Sequence, residues 1–256
     1  MKWEVRTMRS GTSFFDWTVF KKTVCRFWPL WGMYLAGWLL MMPLSGLAAL
    51  RRANYDWYGS SMEYFSYYRV PGMAGSILGF EVVFGALAAM AVFSHLFNAR
   101  SANLFGSLPI RREGLFFTHY LAGLSFILVP NGIVFLLTLT VEAAGNFLCV
   151  EGLLFWLAAV CGEGFFFYSL AVFCAMLTGH ILALPAFYAI INGLVIGVVG
   201  LAQVLFQSFY YGFTNFPAWV YTAAEWFTPV AQLNDAVQSW THDNEAGTAL
   251  ILETEG

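Results

Sequence analysis

Five long apolar runs, at 27–47, 75–97, 115–141, 152–178 and 181–208, occupy most of the chain, and polar residues gather at their ends and in the connections. A bilayer core roughly 30 Å thick is crossed by about 20 apolar residues in a helix. Each run reaches that length. In lipid every backbone donor and acceptor must pair within its own segment, so the runs are expected to be helices. The pattern predicts an all-α protein, a polytopic membrane helix bundle with five transmembrane helices plus amphipathic surface helices.

The flanks carry shorter signals. Over residues 10–26, Phe14, Trp17, Phe20 and Val24 recur at helical spacing beside Lys21, Lys22 and Arg26. That combination predicts an amphipathic helix on the membrane surface, with Ser10, Thr12 or Ser13 as its cap. The connection 48–74 is rich in tyrosine, tryptophan and phenylalanine, and an aromatic loop at a membrane edge is expected to sit in the headgroup layer. Beyond Phe209, aromatic residues alternate with small and polar ones around Pro217 and Pro229, which predicts short amphipathic helices in the outer leaflet. Gly75, Gly79, Gly85 and Ala89 in the second run, and Gly193 and Gly197 in the fifth, are expected to serve close helix packing. Pro130 predicts a kink in the third run. Pro185 fits either a kink or a helix start.

Composition sharpens this picture. Of 256 residues, 59% are hydrophobic and 11% charged, too skewed for a water-facing globule. The net charge of −3 matters less than its distribution. Every lysine and arginine precedes Glu113, and from Tyr211 onward there are acids and no lysine or arginine. With the N-terminus in the cytoplasm, inside segments hold Lys2, Arg6, Arg9, Lys21, Lys22, Arg26, Arg100, Arg111 and Arg112. Outside segments hold only Arg51, Arg52 and Arg69. The positive-inside rule therefore predicts an N-in, multi-pass protein of the cytoplasmic (inner) membrane, with its acidic end outside. The polar lead is too long and the first run too wide for a cleavable signal peptide. Clustered cations on a solvated face are lacking, so no nucleic-acid partner is expected. The four cysteines, at 25, 149, 161 and 174, show no CxxC spacing and predict neither a disulfide nor a metal site.

Candidate chemistry is sparse. Glu163 lies near the middle of the fourth run, where an acid costs on the order of 2.5–3.5 kcal/mol to insert and must face protein or water. It reads as a polar point on a substrate path or a proton site, or as an acid held neutral or bonded to a neighbouring helix such as the one carrying Asn131. Glu81, near the outer end of its run, is expected to reach headgroup water. His95, His119 and His180 fall near the cytoplasmic ends of their runs, without the HExxH spacing of a metal helix. No lysine follows Lys22, so a phosphate loop is excluded and the chain is expected to bind no cofactor. No GxSxG nucleophile elbow occurs.

The polar segment 98–114 joins the second and third runs on the predicted cytoplasmic side. Ser101, Leu104, Phe105 and Leu108 fit a short surface helix ended by Pro109, and Arg111, Arg112 and Glu113 fit the start of the third helix at headgroup level. An ordinary positive-inside loop is the plainer reading of the same residues.

The run "FNARSANLFGSLPIRREGLFFTHYLAGLSFILVPN", preceded by "SFFDWTVFKKTVCRFWPLWGMYLAGWLL" and followed by "FCAMLTGHILALPAFYAIINGL", resembles the bacterial ABC-2-type ABC transporter permeases over about residues 10–235. The resemblance implies a transmembrane permease subunit that moves substrate, as in export, with ATP used by a separate ABC ATPase subunit. It also implies a second permease half, identical or not, and membrane lipid as partners. It places the ATPase-coupling element at 98–113, with Arg100, Ser101, Leu104, Phe105, Leu108, Arg111, Arg112 and Glu113, and external helices at 209–235. It implies six spans where five are readable, so the chain reads as such a subunit lacking its final span. The organisation expected is a cytoplasmic N-terminus at 1–26, a permease domain at 27–208, and an extracytoplasmic amphipathic segment with an acidic tail at 209–256. Two other classes compete. One is a membrane immunity or scaffold protein that binds a partner without transport. The other is an intramembrane hydrolase using Glu163 and a histidine, although Glu163 and His180 on one helix would stand roughly 25 Å apart.

Overall fold

Helices make almost all of the architecture. The computed structural model describes residues 15–51, 55–56, 59–76, 78–97, 112–146 and 148–237. Among them, five helices are long and apolar enough to cross a membrane: Trp28–Arg51, Leu78–Phe97, Arg112–Ala144, Val150–Leu177 and Ala183–Phe209. Their ends fall within four residues of the runs read from the sequence. They are called the first to fifth long helices below.

The first long helix is two helices in line, Trp28–Met41 and Pro43–Arg51. Pro43 has no N–H to continue the ladder, so the break falls at Met42. The third long helix runs unbroken through Pro130, which is buried within it. Pro185 lies in the first turn of the fifth long helix and thus marks a helix start. A short turn around Thr178, Gly179 and His180 joins the fourth long helix to the fifth, as the sequence predicts.

Before the first long helix lies the helix Trp17–Arg26. Its cap is Asp16, whose carboxylate accepts from the Thr18 and Val19 amides, so the expected caps at 10–13 are replaced by a residue closer to the helix. It is fastened to the third long helix. The Asp16 amide donates to Thr118 Oγ1 at 3.1 Å, and Thr23 Oγ1 lies 3.5 Å from His119 Nδ1. Trp17 stays exposed and stacks on Phe20.

The aromatic connection is not simply a headgroup loop. After a short antiparallel ladder between Tyr55–Asp56 and Gly59–Ser60, the chain is helical through Ser61–Tyr64, one π-helical turn at Phe65–Arg69, and Val70–Ser76. Met62, Phe65 and Val70 are buried. Phe65 closes on Gly46 of the first long helix, and Met62 on Gly145 at the end of the third. Helical packing thus begins well before Leu78, which matters for the depth of Glu81.

The core lies where the second, third and fourth long helices meet the first. The second and fourth form the most extensive pair. Gly85 allows their close approach: a Cβ there would stand 3.0 Å from the backbone N of Tyr168 and 3.1 Å from the carbonyl carbon of Phe167. The fifth long helix sits apart, with Leu184, Tyr188 and Asn192 as its buried residues. Tyr188 Oη ties it to the second helix by donating to the Val82 carbonyl at 3.0 Å. Among the described residues nothing lies within 4 Å of an added Cβ at Gly193 or Gly197, so neither packs a described helix. The helix Ala218–Trp226 folds back on the fifth, through Tyr221 donating to Gln203. A further helical stretch at 229–237 brings Val237 into the core.

Candidate functional site

The stripe Gly152, Trp156, Val160, Glu163, Gly164, Phe167, Tyr168 and Ala171 recurs at three- and four-residue spacing on the fourth long helix and is buried against its neighbours. Glu163 therefore faces protein, as an acid at that depth must. Gly164, next to it, leaves room for a second acid from the facing helix. Glu81 Oε2 lies 3.0 Å from the place a Gly164 Cβ would occupy.

Glu81 is only 1% exposed, which corrects the expectation that it reaches headgroup water. The physical reason is the helical segment 61–76, which packs over the ends of the first and third long helices, so that Glu81 lies within the bundle opposite Gly164 of the fourth long helix. Its Oε1 accepts from Tyr34 Oη at 2.6 Å and from Trp38 Nε1 at 3.4 Å. Tyr34 and Trp38 are four apart on the first long helix, so both point at one spot. Tyr34 Oη also lies 3.0 Å from Asn131 Oδ1, and Asn131 Nδ2 donates to Cys161 Sγ at 3.8 Å. Four helices thus contribute one polar cluster: Tyr34 and Trp38, Glu81, Asn131, then Cys161 and Glu163.

The cluster is incompletely satisfied. Glu81 Oε2 and both carboxyl oxygens of Glu163 accept no hydrogen bond from a described residue. Neither acid forms an ion pair with a described residue. Aromatic walls enclose the site: Tyr34 stacks on Phe80, and Trp38 meets Trp156 edge-on with centroids 5.0 Å apart.

Of the residues singled out from sequence, Glu163 and Asn131 converge on this cluster. Cys161 bonds directly to Asn131, which links their helices. Arg112 and Glu113 open the third long helix, as expected for the end of the connecting segment. Arg100, Ser101, Leu104, Phe105, Leu108 and Arg111 lie outside the described residues. His95 and His119 lie with ring centroids 4.6 Å apart, tilted by 30°, near the Trp17–Arg26 helix. His180 Nδ1 instead accepts from the Leu182 amide within its own turn. The three histidines therefore do not form one site, and among the described residues no group of three metal-ligating side chains occurs.

Sequence reasoning missed Tyr34, Trp38 and Glu81 as cluster members. It also missed Glu142, buried near the C-terminal end of the third long helix with its carboxyl facing Ser66 and the Cys149 backbone. The available signal for Tyr34 and Trp38 was their four-residue spacing inside an apolar run, the spacing that lets two polar tips meet one partner.

No family model, no curated protein and no solved structure matches this chain.

Proposed function

We propose that this chain is the membrane-spanning permease subunit of an ABC-2-type transporter, driven by a separate ATPase. The resemblance of residues 10–235 suggests the family, and five long apolar helices in one bundle support a multi-pass subunit, one span short of the six it implies. The observation that carries the coupling role is the junction at the start of the third long helix. There the Trp17–Arg26 helix is bonded to Thr118 and packed beside His119, six and seven residues after Arg112. A force applied to the arginine-bearing segment 98–113 enters the bundle at a braced point.

In this reading the N-terminus is cytoplasmic and the membrane is the inner one. ATP is bound and hydrolysed by the partner, and this chain binds no cofactor and has no enzymatic activity. Two permease halves form one pathway, and closure of the ATPase pair reorients their spans by alternating access. The intramembrane hydrolase loses ground because the polar cluster's contacts include no histidine.

Changing Arg111 and Arg112 together to glutamate is expected to weaken co-purification of the partner ATPase by about tenfold or more, since it reverses the charge at the proposed docking segment. Equal recovery of the ATPase, with unchanged ATP turnover, would remove the coupling assignment.

A further inference from the structure

We propose that the cluster formed by Glu81 and Glu163 is a binding site for a small monovalent cation, a proton or an alkali metal ion, in the middle of the membrane. It stands whether or not the transporter reading does.

Three observations lead there. Two acids are almost fully buried, Glu81 at 1% and Glu163 at 2% exposed, and Glu81 Oε2 lies against Gly164, the neighbour of Glu163. Three of their four oxygens have no donor among the described residues, the fourth being held by Tyr34 and Trp38. No fixed positive charge among the described residues answers them. The titratable groups at the cluster are Tyr34 from the first long helix, Glu81 from the second, and Cys161 and Glu163 from the fourth. The third offers neutral Asn131, and the fifth sends Tyr188 toward the second, bonded to the Val82 carbonyl. His119 is twelve residues from Asn131 on the same helix, roughly 18 Å away.

Two bare carboxylates within electrostatic reach of each other in a low-dielectric interior repel, and the uncompensated charge is far costlier than any single packing contact. In lipid no water shell relieves them. A positive charge must therefore complete the site. It must also be small, because Tyr34, Trp38, Trp156 and Asn131 close around the acids with 1% exposure or less. That enclosure disfavours a peptide amine or an organic cation and leaves a proton on a carboxyl oxygen, or a bare alkali ion among carboxyl and amide oxygens, as the occupant. The two occupants are exchangeable: alkali binding to a protonated carboxyl releases the proton to solvent, and charge is conserved.

The test is infrared difference spectroscopy of the carboxyl C=O stretch on the full chain in lipid nanodiscs. One arm raises the pH in choline chloride, and the other replaces choline by sodium or potassium at fixed pH. Loss of the protonated-carboxyl band with pH alone identifies a proton site, and loss on adding sodium or potassium identifies an alkali site. In either case Glu81→Gln and Glu163→Gln should each remove its own component of the change, and the double variant both, leaving the response of the other carboxyls, Glu142 included. Tyr34→Phe keeps both acids and should shift the Glu81 component, because it deletes that group's shortest hydrogen bond. A wild-type spectrum that responds to neither pH nor cation overturns the proposal, as does a response unaltered in all of these variants that fold.

Discussion

Replacing Gly85 by leucine is expected to destabilise the bundle by about 3 kcal/mol or more, at the upper end of overpacking costs. The reason is what stands opposite. A Cβ at Gly85 would meet the backbone of Phe167 and Tyr168, not the tip of a flexible side chain. A rotamer change cannot relieve that clash, so the second and fourth long helices must separate along their whole contact. In lipid that contact rests on van der Waals packing, since helices gain no hydrophobic stabilisation from touching each other. Gly79→Leu supplies the control. It lies on the same helix, with nothing within 4 Å of an added Cβ. It carries the same propensity change, and it is expected to shift stability by about 0.5 kcal/mol or less. Denaturant-induced unfolding in mixed micelles compares the two. Equal effects at both positions would mean that the close crossing is not what holds the core.

Trp38→Ala should cost about 3 kcal/mol, and Trp38→Phe about 1 kcal/mol or less. The pair separates packing from polarity at the site's wall. The alanine variant loses the edge contact with Trp156, the ring contact with Phe80 and the bond to Glu81. The phenylalanine variant keeps much of the ring and loses chiefly the N–H donor. A hydrogen bond between membrane helices averages only about 0.6 kcal/mol, because the separated helices find other partners in the membrane. At 3.4 Å the Trp38 bond to Glu81 is also long. Packing should therefore dominate. If the two variants were equally damaged, the bond to Glu81 would outweigh the ring, and the cluster would be a larger contributor to stability than this account allows.

The long helices were legible because lipid leaves an apolar run of 20 residues few alternatives to helix. Glu163 was legible for a related reason: an acid at the centre of such a run must find protein. Asn131 stood out as the polar residue beside Pro130. The rest of the cluster was hidden. Tyrosine and tryptophan in an apolar run fit an interfacial belt as well as a buried bond, and only the facing Glu81 decides between them. The depth of Glu81 depends on the helices at 61–76, whose tyrosines and serines mask the apolar positions Met62, Phe65, Val70 and Met73. Small-residue spacing was ambiguous as well. Gly85 meets a backbone while Gly193 and Gly197 meet none, and no feature of the local sequence distinguishes them. At the N-terminal helix three hydroxyl residues looked like caps, yet Asp16 stands one residue before the first helical position and takes the role.

The bundle's relation to the bilayer is tested most directly at the ends of the fourth long helix, which runs from Val150 to Leu177. In a background with the four cysteines changed to alanine, Leu148→Cys and Gly179→Cys place single thiols at exposed positions just beyond each end. A membrane-impermeant maleimide is applied to intact cells and then to permeabilised ones. The account predicts that Leu148→Cys labels in intact cells and Gly179→Cys only after permeabilisation. Labelling of both thiols from the same side would contradict a membrane-crossing helix and, with it, a buried acid cluster at mid-membrane depth.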